Sequence, residues 1–207
     1  MLFATAEALA NEESIDECHA YGDEILKQAK SIRETVKNLS LYTRPGALHD
    51  LQRVDITTSV ADAVHLAQRT LHGNEIEFKI SSTPEMEIMA KSEEIQQVLF
   101  NIVRNAIQAI DGRGRIEINT IEDDSWVSVN IQDNGPGISD EHLSRIFDPF
   151  FTTKGPDQGE GLGLYIVRQI VTRYQGTIDA ENTANGGTRF MIRFPVADRK
   201  KTEEVNL

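Results

Sequence analysis

The sequence predicts an α+β protein. It would be a two-layer α/β sandwich, a mixed sheet with its helices on one face, preceded by an α-helical hairpin or coiled-coil segment. Alternating strand patterns such as Ile76–Ile80, Arg115–Ile121, Trp126–Gln132 and Thr188–Phe194 are interleaved with amphipathic helical patterns over 57–71, 93–110 and 162–175. That order of strands and helices favours two layers with the helices together. Separately, Ile15, Cys18, Gly22, Ile25, Ala29, Ile32, Val36 and Leu39 follow one another at steps of 3, 4, 3, 4, 3, 4, 3, a heptad seam.

The elements follow in order. The seam over 12–40 is narrow and flanked by Asp23, Glu24, Lys27, Lys30, Arg33, Glu34 and Lys37. A helix with so thin an apolar stripe calls for a partner helix, in a hairpin with residues 1–10 or in a dimer. Pro45 and Gly46 stop it. Val54–Ile56 reads as a short strand, 57–71 as a helix, and Met86–Met89 as another short strand after the turn at 81–84. Ser92 is placed to cap the helix 93–110, which Gly112 and Gly114 break. Two strands joined by Glu122–Ser125 come next, then a short helix from Ser139 to Ile146 with Ser139 as its cap. The helix 162–175 ends at Gly176, and strands at 177–180 and 188–194 close the domain. The expected division is 1–46 as a helical dimerisation region, 47–197 as one domain, and 198–207 as a frayed charged tail.

Composition limits the function. With 207 residues, 39% hydrophobic and 26% charged, the chain has globular values. A net charge of −12 argues against coating nucleic acid, which needs Lys and Arg, but leaves room for a nucleotide pocket. The single Cys18 rules out an internal disulfide and fits a reducing, cytoplasmic setting. No apolar run reaches the ~20 residues of a membrane helix, and the first residues lack the basic start of a signal peptide.

Glycine marks the site. Asp133-Asn-Gly-Pro-Gly137 and Gly159-Glu-Gly-Leu-Gly163 flank a Phe-rich turn. Glycine offers a core nothing to bury, so clusters just after a strand and just before a helix suggest backbone closely meeting a ligand. Asp133, at a strand end, can accept from an exocyclic amine, while Gly135 and Gly137 let backbone approach a flat ring. Bare N–H groups at a helix start favour phosphate, and Lys154 is the nearby cation. On the helix 93–110, Glu94, Gln97, Asn101, Asn105 and Gln108 form a polar stripe. Two Asn a turn apart are poor helix formers. They form either a solvated face or a pair of amides turned into a pocket, where a carboxamide oxygen suits Mg2+ and the NH2 suits phosphate.

In this order the segments resemble the ATP-binding domain of sensor histidine kinases, in the superfamily shared with gyrase, mismatch-repair and heat-shock chaperone ATPases. QVLFNIVRNAIQA is similar to that family's N box, DNGPGI to its first glycine box, IFDPFFTTK to its F box, GEGLGL to its second glycine box, and NGGTRF to its final glycine–threonine segment. The NAIQA and PFFTTK wording looks most like the nitrogen-regulation type. The resemblance implies the Bergerat sandwich, ATP and Mg2+. It makes Asn105 the metal ligand, sets Asn101 beside the phosphates, and counts Gln108 among the cofactor-binding residues. It gives Asp133, Gly135, Gly137, Ile138 and Thr188 to the adenine. Phe150, Phe151, Thr152, Thr153 and Lys154 form a lid with Lys154 toward the phosphates, and Gly159, Gly161, Leu162, Gly163 and Leu164 close the phosphate side. Asn105 and Lys154 are the expected catalytic groups.

It further implies transfer of the ATP γ-phosphoryl to a His, for relay to the Asp of a response-regulator receiver domain. A homodimer would form through the N-terminal helices, without nucleic acid or membrane contact by this stretch, though a parent protein can be anchored in an inner membrane. Three positions depart from the pattern. Lys91 replaces the usual Asp that opens the N-box helix, Glu160 stands where Thr or Ser is common, and no His matches the phosphoacceptor. The expectation is therefore an acceptor outside this chain and no self-phosphorylation. The alternatives are a degenerate nucleotide-binding scaffold or another ATPase of the superfamily.

Overall fold

The structure is a computed structural model, and it describes residues 2–10, 16–23, 25, 26, 29, 51–69, 75–83, 86–154 and 161–197. The chain divides into two compact units, Met1–Leu48 and His49–Leu207. In the first, α1 spans Leu2–Ala10, and residues 16–23, 25, 26 and 29 are also helical. Half of the heptad seam, Ile15, Ile32, Val36 and Leu39, lies outside the described residues, as does the tail 198–207 that was expected to fray.

The second unit begins with β1 (Gln52–Asp55) and α2 (Ile56–Gln68). Ile56, expected to end the strand, opens the helix instead. Asp55 is the reason: its carboxylate accepts from Thr57 N at 3.0 Å and Thr58 N at 3.3 Å, and its backbone is extended. An N-cap of that kind stabilises a helix by about 1 kcal/mol. Then come β2 (Glu75–Ser82), β3 (Glu87–Ala90), α3 (Ser92–Ala109), β4 (Arg113–Glu122) and β5 (Trp126–Asp133). The four-residue α4 (Asp140–Leu143), α5 (Gly163–Arg173), β6 (Thr177–Asn182) and β7 (Thr188–Pro195) complete it.

Two cap expectations fail. Ser92 lies inside α3, the cap position is Lys91, and no side chain caps the helix there. Ser139 makes no cap bond either, and the chain passes from α4 into turns at Ser144 rather than staying helical to Ile146.

The five-stranded sheet has the order β2-β4-β5-β7-β6. β2 pairs with β4 in parallel and the other neighbours are antiparallel, so the sheet is mixed. A second, two-stranded sheet joins β1 and β3 antiparallel. Strand alternation sorts the faces. Ile116, Ile118, Val127, Val129, Ile131, Phe190, Ile192 and Phe194 are buried, while their alternates Arg115, Asn119, Asn130, Gln132, Arg189 and Arg193 stay polar. The helices cover the apolar side: α3 packs between α2 and α5 and against β5, and α5 reaches β6 and β7. Ile95, Val98, Leu99, Ile102, Val103 and Ala106 supply α3's buried face.

This alternation has a consequence at the end of β5. Val127, Val129, Ile131 and Asp133 are in phase, so the strand carries a carboxylate onto the helix-covered side. Among the described residues no helix is long and apolar enough to cross a membrane.

Candidate nucleotide site

Asp133 is 3% exposed. Its Oδ1 accepts from Gly135 N at 2.9 Å and from Thr188 N at 3.2 Å. Burial pushes its carboxyl above the ordinary carboxylate value, against those two backbone donors. Such a group sits at a cost in an apolar wall unless something donates to it.

The loop after β5 is set by close backbone approaches. A Cβ on Gly135 would stand 2.9 Å from the Ala109 carbonyl oxygen, so the loop lies against the C-terminal end of α3. Gly187, at φ +92°, leaves no room for a side chain against the Asp133 carbonyl, and the β6–β7 turn thereby delivers Thr188 to the carboxylate. Ile138 is held from the other side. Asn182 Oδ1 accepts its N–H at 2.8 Å, and Asn182 Nδ2 donates to its carbonyl at 2.6 Å.

α3 presents its polar stripe as follows. Asn101 is buried, Asn105 half-buried and Gln108 exposed. Arg104 Nη2 donates to Asn101 Oδ1 at 3.3 Å. The Asn105 carboxamide makes no hydrogen bond among the described residues. Glu94 leaves the stripe. It accepts from Arg173 Nη1 and from the Tyr174 hydroxyl, both at 2.8 Å, and ties α3 to the end of α5.

The Phe-rich segment closes the other side. Phe151 is anchored: its ring meets His142 edge-on at 5.4 Å, and the Arg145 guanidinium lies 4.8 Å over it. Phe150 has φ 64° and is 65% exposed, a strained conformation for a bulky residue. Its backbone presses on Gly161, where a Cβ would stand 2.5 Å from the Phe150 carbonyl carbon. Thr152 Oγ1 accepts from Lys154 N, Thr153 is exposed, and Lys154 Nζ donates to Gln108 Oε1 at 2.5 Å. Burial, with the charge of Arg104, holds Lys154 below the ordinary lysine pKa. Leu162 is buried, Leu164 is half-buried, and Gly159 and Glu160 fall outside the described residues.

The structure thus brings Asp133, Gly135 and Thr188 together at one end of α3, and joins Lys154 to Gln108. Gly163, opening α5, lies beside Asn101 and Arg104, to which a Cβ would come within 3.9 and 3.6 Å. Sequence pattern left Asn182 and Arg104 unmarked. Asn182 carries no local signal, since its partner is 44 positions away. Arg104 had one, its i+3 spacing from Asn101 on the same stripe.

Residues 90–198 match the family described as histidine kinase-, DNA gyrase B-, and HSP90-like ATPase. The chain is 33% identical over 186 residues to the sensor histidine kinase ZraS of Escherichia coli K12, covering 89% of this chain and 39% of that protein. It is 35% identical over 174 residues to the signal transduction histidine-protein kinase AtoS of the same organism, covering 83% of this chain and 28% of AtoS. It therefore spans about two fifths or less of these curated relatives. The solved catalytic domain of histidine kinase ThkA superposes with a TM-score of 0.65 at 32% identity, covering 70% of this chain and 95% of that one. A structure of ThkA in complex with the response regulator protein TrrA gives 0.72 at 24% identity over 97% of this chain and 58% of that one, a likeness of fold. The chain belongs to the histidine kinase-, DNA gyrase B-, and HSP90-like ATPase family, and within it is similar to the catalytic domain of histidine kinases.

Proposed function

We propose that this domain binds Mg·ATP along α3 and passes the γ-phosphoryl to a histidine outside the unit His49–Leu207, for relay to a response-regulator Asp. The observation that carries the reading is Asp133. A buried carboxylate held by two backbone N–H groups is suited to accept from the adenine amine. Gly135, Gly137 and Ile138 would line the base, with Thr188 holding the carboxylate in place. The donor set also fits a metal: the Asn105 oxygen is a hard ligand without a described partner, on the same stripe as Asn101. Mg2+ held there would supply neutralisation of phosphate charge.

The chain's own part is positioning. Lys154 and the N–H groups opening α5 offer positive potential to phosphate. Thr152 fixes the Lys154 backbone, and Phe150, Phe151 and Thr153 belong to a cover that excludes water. The second glycine cluster, Gly159, Gly161, Leu162, Gly163 and Leu164, would border the phosphates. A response regulator as partner, and a homodimer through the N-terminal helices, complete the proposal.

Calorimetric titration with ATP, with and without Mg2+, tests it. The expected result is binding that Mg2+ strengthens, an advantage lost in Asn105→Ala. Incubation with labelled ATP should leave no acid-labile label on the unit His49–Leu207. ATP affinity that ignores Mg2+ would count against the metal assignment, and absence of any binding against the function.

A further inference from the structure

Arg104 is the only basic residue of α3. It stands one turn from Asn101 and binds that side chain's oxygen at 3.3 Å, which leaves the Asn101 amide NH2 for another partner. The same guanidinium nitrogen lies 3.6 Å from where a Gly163 Cβ would be, so a cation rests against the first residue of α5. That helix start already carries positive partial charge, and its cap position, Leu162, adds no side-chain bond. Lys154 joins from the Phe-rich segment. It is held by Gln108, the residue one turn beyond Arg104 on α3, and its pKa is lowered by burial and by the Arg104 charge.

Two cations and a helix N-terminus thus converge on one stretch of α3. Like charges crowded in a partly buried space repel, and a polyanion between them turns that repulsion into attraction. The position along α3 agrees. Gly135, on the base side, touches Ala109. Arg104 lies five residues nearer the helix start and Asn101 eight, or roughly 7 and 12 Å along the axis.

We propose that Arg104 is a phosphate-binding residue, gripping the nucleotide's phosphate chain together with Lys154 while orienting the Asn101 amide toward it. This rests on the nucleotide-site reading above. Guanidinium has the right shape for both contacts, because its planar fork can bond Asn101 and a phosphate oxygen together. Packing over the Phe100 ring, 5.6 Å from its centroid, steadies the side chain.

The test compares adenosine, ADP and ATP, each with Mg2+, on the full chain and on Arg104→Gln and Arg104→Lys, with melting of each free protein as a fold control. Arg104→Gln should weaken ADP and ATP about tenfold or more, the size of a lost charge-assisted hydrogen bond, and leave adenosine within about twofold. Arg104→Lys should recover part of the loss, and the salt dependence of ATP binding should flatten in Arg104→Gln. Equal weakening of all three ligands would make Arg104 structural and overturn the proposal, as would unchanged ADP and ATP affinity. A wild-type chain that binds none of the three would overturn the nucleotide site itself.

Discussion

Replacing Asp133 by Asn tests the proposed base contact through one atom. Its Oδ1 accepts from Gly135 N and Thr188 N, and an amide oxygen can accept both. The strand end therefore keeps its local bonds. The other carboxylate oxygen becomes an NH2, which cannot accept from an amine. Losing a hydrogen bond to a charged acceptor removes about 1.5–3 kcal/mol, and an unmatched buried donor adds about 1–3 kcal/mol. Together these weaken nucleotide binding by roughly a hundredfold or more. At about a hundred times the wild-type Kd, ligand stabilises the folded state by about 2.7 kcal/mol, and after a hundredfold loss by only about 0.4 kcal/mol. For a unit of this size each kcal/mol moves Tm by about 2–4 °C, so Mg·ATP should raise wild type by about 5–10 °C and Asp133→Asn by about 1 °C. The free variant behaves oppositely. Between the ordinary value of 3.8 and the raised value, folded chain binds more protons than unfolded chain, so wild-type stability falls as pH rises through that window. Asn has no such loss, and the free variant should melt no lower than wild type at neutral pH. Thermal melts with and without Mg·ATP read both. An undiminished ligand shift in the variant would refute the role of Asp133.

Other perturbations address the supports of the site. Gly161→Ala places a side chain at φ +69° against the Phe150 carbonyl, so it should displace the Phe-rich segment, cost about 1–3 kcal/mol in denaturant titration and weaken ATP binding; an unchanged midpoint would contradict the close approach. Asn182→Ala removes both bonds to Ile138 and should cost about 1–2 kcal/mol, with several-fold weaker ATP binding that Asn182→Ser partly restores. Tyr174 is held up to about 12 by burial first and by its bond to Glu94. The folded chain then holds a proton the unfolded chain gives up, so stability falls as pH rises from 10.0 to about 12. Tyr174→Phe should flatten that fall in urea melts and cost about 1–2 kcal/mol at neutral pH.

The helices and strands were legible where a local period spoke. β5 and β7 alternate cleanly, and α3's buried and polar stripes separate at helical spacing. Its caps were not. Ser139 stands at a cap position and Ser92 one residue past one, yet neither side chain caps, while Asp55 does. Capping depends on backbone angles at a single residue, and those are set by how the preceding strand enters the packed layers. Glu94 shows the same limit, since its partners Arg173 and Tyr174 belong to another helix 79 and 80 positions on.

By itself the sequence determined which residues share a face. The period of 2 in β5 puts Asp133 in line with Val127, Val129 and Ile131, and the helical period puts Asn101, Asn105 and Gln108 on one stripe. Only the tertiary structure decided what stands opposite each face. The β6–β7 turn reaches Asp133, Asn182 clasps Ile138, and the start of α5 meets Arg104. A periodic pattern is a property of one element. A site is made where several elements meet, and their meeting is set by the packing of the whole core.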